Sequence, residues 1–213
     1  METLTPHCIR ISMAKLTISF AFLLSCSFFA STEAYDAGGS NGNITIKWDV
    51  VNWTPDGYLA VVDMFNHQKN RNIEAPGWRL GWTWPRKQII WQMVGAQTTE
   101  HGDCSGFKRN IPHCCKSNPQ VIDSPPGTPY NQQIANCCRG GVLRANTLSS
   151  FQVTVGQAGT SNITVKPPMN FTFKAPGPGY TCGPTKIVRP TQFTTADKLR
   201  TIQALMTWKV VCT

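Results

Sequence analysis

Two groups of side chains could do chemistry within one short stretch of this chain, "EHGDCSGFKRNIPHCC". His101, Cys104, His113 and Cys114 carry the nitrogen and sulfur donors that zinc takes in a tetrahedral site. Their spacing lacks a paired C-x-x-C, and thiols on a secretory route are oxidised, so disulfides are the preferred reading and no metal or cofactor is expected. Glu100 and Asp103 could supply the two carboxyls that glycoside hydrolysis sets on either side of a bond. A turn anchoring the first disulfide explains the same residues more simply. The remaining acids, Asp49, Asp56, Asp63 and Glu74, form no recurring pair, and G-x-S-x-G, P-loop and H-E-x-x-H motifs are absent from the sequence. The expectation is a non-enzymatic protein with no catalytic residues.

Aromatic rings remain as binding chemistry, because a rigid ring offers contact area to a flat sugar face at small entropic cost. "GWRLGWTWP" is the densest stretch, with three tryptophans in nine residues. Period-2 geometry places Trp78, Leu80, Trp82 and Trp84 on one face and Arg79, Gly81 and Thr83 on the other, which predicts a half-buried strand with these rings in the core. Trp48 shares its parity with Ile44, Ile46 and Val50 and is also read as core. Trp53 has the parity of Thr45, Lys47 and Asp49 and precedes a turn, so it is a candidate for sugar stacking. The pattern leaves Trp91 open between core and surface. Tyr130, on a polar loop, is either a binding ring or a cover over the cysteines.

The elements that must position these rings belong to a secreted chain. From Met13, "MAKLTISFAFLLSCSFFASTEA" reads as a signal peptide with Thr32 and Ala34 placed for cleavage, so residues 1–34 are assigned to it and the mature chain starts near Tyr35. No later run approaches the roughly 20 apolar residues of a membrane span. Loss of the leader leaves seven cysteines, Cys104, Cys114, Cys115, Cys137, Cys138, Cys182 and Cys212, as disulfide candidates. Seven is odd, which predicts either one free thiol or a partner beyond the chain end. Adjacent cysteines rarely bond to each other, so each doublet is expected to tie two different segments together. Sequons at Asn43, Asn52, Asn162 and Asn170 fit the same route, with Pro55 weakening that at Asn52.

Lys and Arg number 20 against 11 Asp and Glu in the 213-residue chain. Outside a cell, this excess points to acidic polysaccharide or lipid head groups rather than nucleic acid, and equally to a surface kept soluble by scattered charge. Short β-rich stretches bounded by Gly, Pro, Asn and Asp dominate the text, among them "ITIKWDVVNW", "GYLAVVDMFN", "QIIWQMVGAQ", "SSFQVTVG", "NFTFKAP", "KIVRPTQF" and "ALMTWKVVCT". "TPDG" predicts the turn between the first two. Only "TTADKLRTI", with Thr194 or Thr195 as N-cap, reads as a helix. The fold class is therefore all-β, an antiparallel β-sandwich with a loop-rich, Cys-rich, disulfide-stapled insertion over 104–141.

"GNITIKWDV", "APGWRLGWTW", "VGAQTTEHGDCSGFK", "IPHCCK", "PYNQQIANCC", "PGPGYTCGP" and "ALMTWKVVCT" resemble the COBRA and COBRA-like proteins of plants across essentially the whole mature chain. The resemblance implies a secreted, N-glycosylated, non-enzymatic protein of the plant cell wall. It implies a role in cellulose deposition, microfibril organisation and oriented cell expansion. Members are usually GPI-anchored at the outer plasma membrane face, and they continue past this point with a "CCVS" segment and an apolar anchor signal. This chain ends at "VVCT", so the anchor signal is expected to be missing from it.

A weaker similarity links "IKWDVVNWTPDGYLAVV", "GWRLGWTWP", "QIIWQMV", "PYNQQIA" and "SSFQVTVGQAG" to family 2 cellulose-binding modules. It implies a cellulose-binding-module-like sandwich over 35–174, with family-specific strands over 175–213 packed on the same domain. Position by position it implies that Trp53, Trp91 and Tyr130 are exposed carbohydrate-binding rings and that Trp48 and Trp78 are buried. The expected partner is cellulose or a related β-glucan, with acidic wall polysaccharide as a further contact for Arg86, Lys87, Lys108 and Arg109. The alternatives are a scaffold that recruits wall-synthesising proteins without touching glucan, and a wall glycosidase or transglycosylase.

Overall fold

Strict alternation makes the first strand, β1 (Ile44–Thr54), legible at once: Ile44, Ile46, Trp48 and Val50 are all buried. The computed structural model describes residues 43–177, 179–194 and 201–213. The signal-peptide reading lies outside the described residues. β1 turns at Pro55–Asp56 into β2 (Gly57–Asn66), with Thr54 opposite Gly57, as the "TPDG" turn predicts.

Ten further strands follow: β3 (Arg79–Thr83), β4 (Ile89–Val94), β5 (Ala96–Thr98), β6 (Gln120–Asp123), β7 (Leu148–Gly156), β8 (Met169–Lys174), β9 (Lys186–Val188), β10 (Gln192–Thr194), β11 (Thr201–Gln203) and β12 (Met206–Cys212). They form a six-stranded sheet in the order β4-β7-β2-β1-β12-β9, a four-stranded sheet β5-β6-β3-β8, and a two-stranded sheet β10-β11. Every named strand pairing is antiparallel. The all-β antiparallel sandwich is thus the observed architecture.

The loop-rich stretch 104–141 also supplies one strand that the sequence did not announce, "QVID", which is β6 and runs between β5 and β3 in the second sheet. Its four residues, within the five that separate Pro119 from Pro125, offer too short an alternation to register as a strand; its partners provide the hydrogen bonds. The centre of the helix-like "TTADKLRTI" lies outside the described residues, and its ends are extended, Thr194 facing Thr201 in the β10-β11 pair.

Tryptophan dominates the shared core. Trp48 meets Trp82 edge-to-face at 5.2 Å between ring centroids, stacks on Trp208 at 5.7 Å, and touches Trp84 and Phe171 edge-on. Trp78 stacks on Phe151 of the opposite sheet at 6.2 Å. All of these tryptophans are buried, so the "GWRLGWTWP" rings are core as the alternation predicts.

Disulfides join Cys104 to Cys115, Cys137 to Cys138 and Cys182 to Cys212. The expectation for the doublets is therefore overturned twice. Cys137 and Cys138 bond to each other, and Cys114 is a buried free thiol, the one disulfide candidate that is unbridged. The reversal that admits a bond between neighbours is anchored from outside. Buried Asp123 accepts backbone N–H bonds from Cys138, Arg139 and Gly141 at 2.8 to 2.9 Å, and Cys138 adopts positive φ. Gly141 in turn lies so close to Trp78 that a Cβ on it would sit 2.7 Å from the Trp78 backbone nitrogen.

Candidate functional site

Trp91 occupies a β-bulge. Ile90 faces Val155 and Gln92 faces Thr154, so Trp91 is the extra residue and follows neither parity of its strand. That is why alternation leaves it open. Its Nε1 donates to Asp56 Oδ2 at 2.8 Å, and its ring meets Phe107 edge-to-face at 5.7 Å. The pyrrole edge lies over Gly156, whose missing side chain makes the room: a Cβ there would be 2.0 Å from Trp91 Nε1. Val155 points into the core, so this contact is on the outer face of the six-stranded sheet. The result is a half-buried indole held from three sides by the β1-β2 turn, β7 and the Cys104–Cys115 loop.

Gly156→Ala is expected to displace the indole and to destabilise by about 1–3 kcal/mol, the usual cost of overpacking. In a Trp91→Ala background the same change should cost much less, a non-additivity that a double-mutant cycle by urea unfolding measures directly.

Trp53 does not have the environment its parity predicts. A bulge at Val51 shifts the register between Val50 and Asn52, and Trp53 comes to face Tyr58, a core residue. One inserted residue exchanges the two faces of everything beyond it. Trp53 therefore packs half-buried against the core side, at the same end of the sheet as Trp91 but on the opposite face. Across the intervening β2 and β7 the two are about 14 Å apart in strand spacings.

Tyr130 is 91% exposed, at the start of a 3-10 turn whose Gln132 carbonyl accepts from Gly95 N, just past the far end of β4. Trp91 and Tyr130 thus lie along the β4 margin, and Trp53 stands apart from them. Sequence reasoning missed Phe107, one position from Lys108 on a loop with no alternation, and missed Asp56 as the anchor of the indole. The Asp-Gly turn was the available signal for Asp56.

The other chemistry-bearing groups are engaged locally. Glu100 pairs with Lys116, and that hydrogen bond holds its carboxyl below the usual range. Asp103 accepts from the Ser105 backbone at 2.9 Å and is likewise held low. Cys104, one of the four candidate zinc donors, is bound to Cys115, while burial pushes the Cys114 thiol up and keeps it protonated. Burial, then the neighbouring His101, lowers His113. Among the described residues, no cluster of three or more His, Cys, Asp or Glu could hold a metal ion, and no helix is long and apolar enough to cross a membrane. Arg86, Lys87, Lys108 and Arg109 are all exposed. So are the sequon residues Asn52, Asn162 and Asn170, with Asn43 partly covered.

Comparison with known proteins agrees with the motifs. The COBRA N-terminal domain matches residues 58–213. Protein COBRA of Arabidopsis thaliana is 64% identical over 207 residues, covering 94% of this chain and 45% of its own length. COBRA-like protein 3 of Oryza sativa subsp. japonica is 66% identical over 190 residues, covering 86% of this chain and 42% of its own. COBRA-like protein 2 of Arabidopsis thaliana is 60% identical over 205 residues. The chain spans less than half the length of these curated relatives. No solved structure matches it. On the family match over most of its length, with the β-sandwich and cysteine pattern that accompany it, the chain belongs to the COBRA family.

Proposed function

We propose that this chain is a secreted, non-enzymatic module of the plant cell wall that binds cellulose or a related β-glucan and helps to order nascent microfibrils. The observation that carries the reading is the preset indole of Trp91, half in solvent and fixed by Asp56, Gly156 and Phe107. An immobilised ring loses little freedom on stacking against a pyranose face, so more of its contact energy appears as affinity. Tyr130, almost fully exposed, is the second contact, and Trp53 adds only the part of its ring that the core leaves uncovered. The strands over 175–213 are taken as part of the same module, a reading supported by the pairing of β12 with β1 and β9.

Retention on crystalline cellulose tests this. Trp91→Ala with Tyr130→Ala should weaken binding about tenfold or more. Trp53→Ala is a poorer probe because it also removes core contacts. A folded double variant that binds cellulose as tightly as the parent chain would reject the platform.

Exposed Ile187, Ile202 and Leu205 in the β9-to-β12 stretch favour a second reading, a scaffold for other wall proteins. It predicts negligible affinity for purified glucan together with a cross-linked protein partner. A glycosidase finds less support, since a general acid needs a raised carboxyl pKa and both Glu100 and Asp103 are held down.

A further inference from the structure

A row of like charges crosses the outer face of the six-stranded sheet. Lys47 on β1 stands opposite Lys209 on β12, and Lys209 stands opposite Lys186 on β9. Cross-strand partners share a face, so the three ammonium groups line up across adjacent strands at the regular spacing of roughly 4.8 Å per strand. Lysines directly opposite one another destabilise a sheet. Lys47 is partly compensated by Asp49 at 3.6 Å and Asp63 at 3.9 Å. Among the described residues, no carboxylate lies within ion-pair distance of Lys209 or Lys186, and both are exposed. A lysine on the edge strand β9 guards against edge-to-edge pairing. That explains Lys186 but not Lys209 or Lys47, which sit on inner strands.

The surroundings suit a chain-like anion. The row ends at Asp63, which faces Lys47 on one side and hydrogen-bonds Ser150 on the other. The next row holds Thr45, Val211 and Phe65, whose ring lies 4.3 Å from that of His67. Burial, and then the positive charge of Lys209, lower the His67 pKa. A single file of cations, bordered on one side by the uncharged Thr45, Val211 and Phe65 and closed at its Lys47 end by Asp49 and Asp63, is a track rather than a broad basic patch.

We propose that Lys47, Lys209 and Lys186 form a binding track for a linear acidic polysaccharide bearing one carboxylate per sugar. Successive carboxylates meet successive lysines across the strands, and Phe65 offers an apolar contact at the margin. The track is separate from Trp91, so this proposal stands or falls independently of glucan stacking. It also differs from the scattered Arg86, Lys87, Lys108 and Arg109, which share no strand face.

The test uses the secreted, oxidised chain with polygalacturonate, its fully methyl-esterified form, and vesicles containing phosphatidylserine. Polygalacturonate should bind, more weakly as salt rises, and the esterified polymer should not. Lys186→Gln with Lys209→Gln should weaken polygalacturonate binding about 30-fold while leaving cellulose retention intact. Lys209→Arg, which keeps the charge, should retain binding. The proposal is overturned if the ester binds as well as the acid, if the double variant binds unchanged, or if Lys108→Gln with Arg109→Gln produces the same loss. Preferential capture by the vesicles would also overturn it, by making the row a membrane contact.

Discussion

Asp123→Ala is expected to lower the free energy of unfolding by about 3 kcal/mol or more, because three backbone donors lose a charged acceptor at once. The carboxylate is 4% exposed and binds the N–H groups of Cys138, Arg139 and Gly141. Water cannot replace it without opening the sandwich at β6. The damage should spread along the chain, since the loop so anchored carries Tyr130 and its Gly141 carbonyl accepts from Trp78 N. Asp123→Asn retains acceptor capacity on one side-chain atom only, so it should fall between the parent and the alanine variant. Urea unfolding with intact disulfides measures both. A loss under about 1 kcal/mol for Asp123→Ala would mean that the loop holds itself.

Trp48→Ala should be at least as severe, about 3–5 kcal/mol, from lost burial plus the cavity left among rings that cannot collapse into it. Trp48 is fully buried and in contact with Trp82, Trp84, Trp208 and Phe171, which come from both sheets. For a domain of ordinary stability, that is a large share of the total. Trp48→Phe fills most of the same space with an aromatic ring and is expected to recover much of the loss. Denaturant midpoints for the two variants should be well separated. If they coincide, the edge-to-face packing around Trp48 contributes little beyond hydrophobicity.

Much of the fold is legible wherever alternation is long. β1 and β2 show their buried faces residue by residue, and the tryptophans of β3 declare themselves core through Leu80 between them. Two short strands escaped the pattern: β6 and β11 have four and three residues, too few to display a clear alternation, and a partner strand completes their hydrogen bonds. Asp49 shows another limit. It has the outward parity of Lys47, yet it is fully buried, bonded to Thr207, which the Thr191 backbone covers. The cover comes from residues far along the chain, and no local pattern reports it.

The aromatic site divides in the same way. That rings outside the core were available could be read from residue types. Which face each ring occupies could not, because the bulges at Val51 and Trp91 shift the phase of their strands. Trp53 was therefore displaced to the core side, while Trp91 acquired Asp56, Gly156 and Phe107 from three separate segments.

By itself, then, the sequence determined the all-β class, the buried tryptophan face, and membership of a family with long, specific motifs. These are properties of local pattern and of residue identity, which chain neighbours alone can carry. Tertiary structure decided the disulfide partners, the free Cys114, the two bulges, the seat of Trp91 and the alignment of Lys47, Lys209 and Lys186. Each of these depends on register between segments distant in the chain. Register is set by the packing of a whole face against the opposite sheet, where a slip of one residue turns every side chain over.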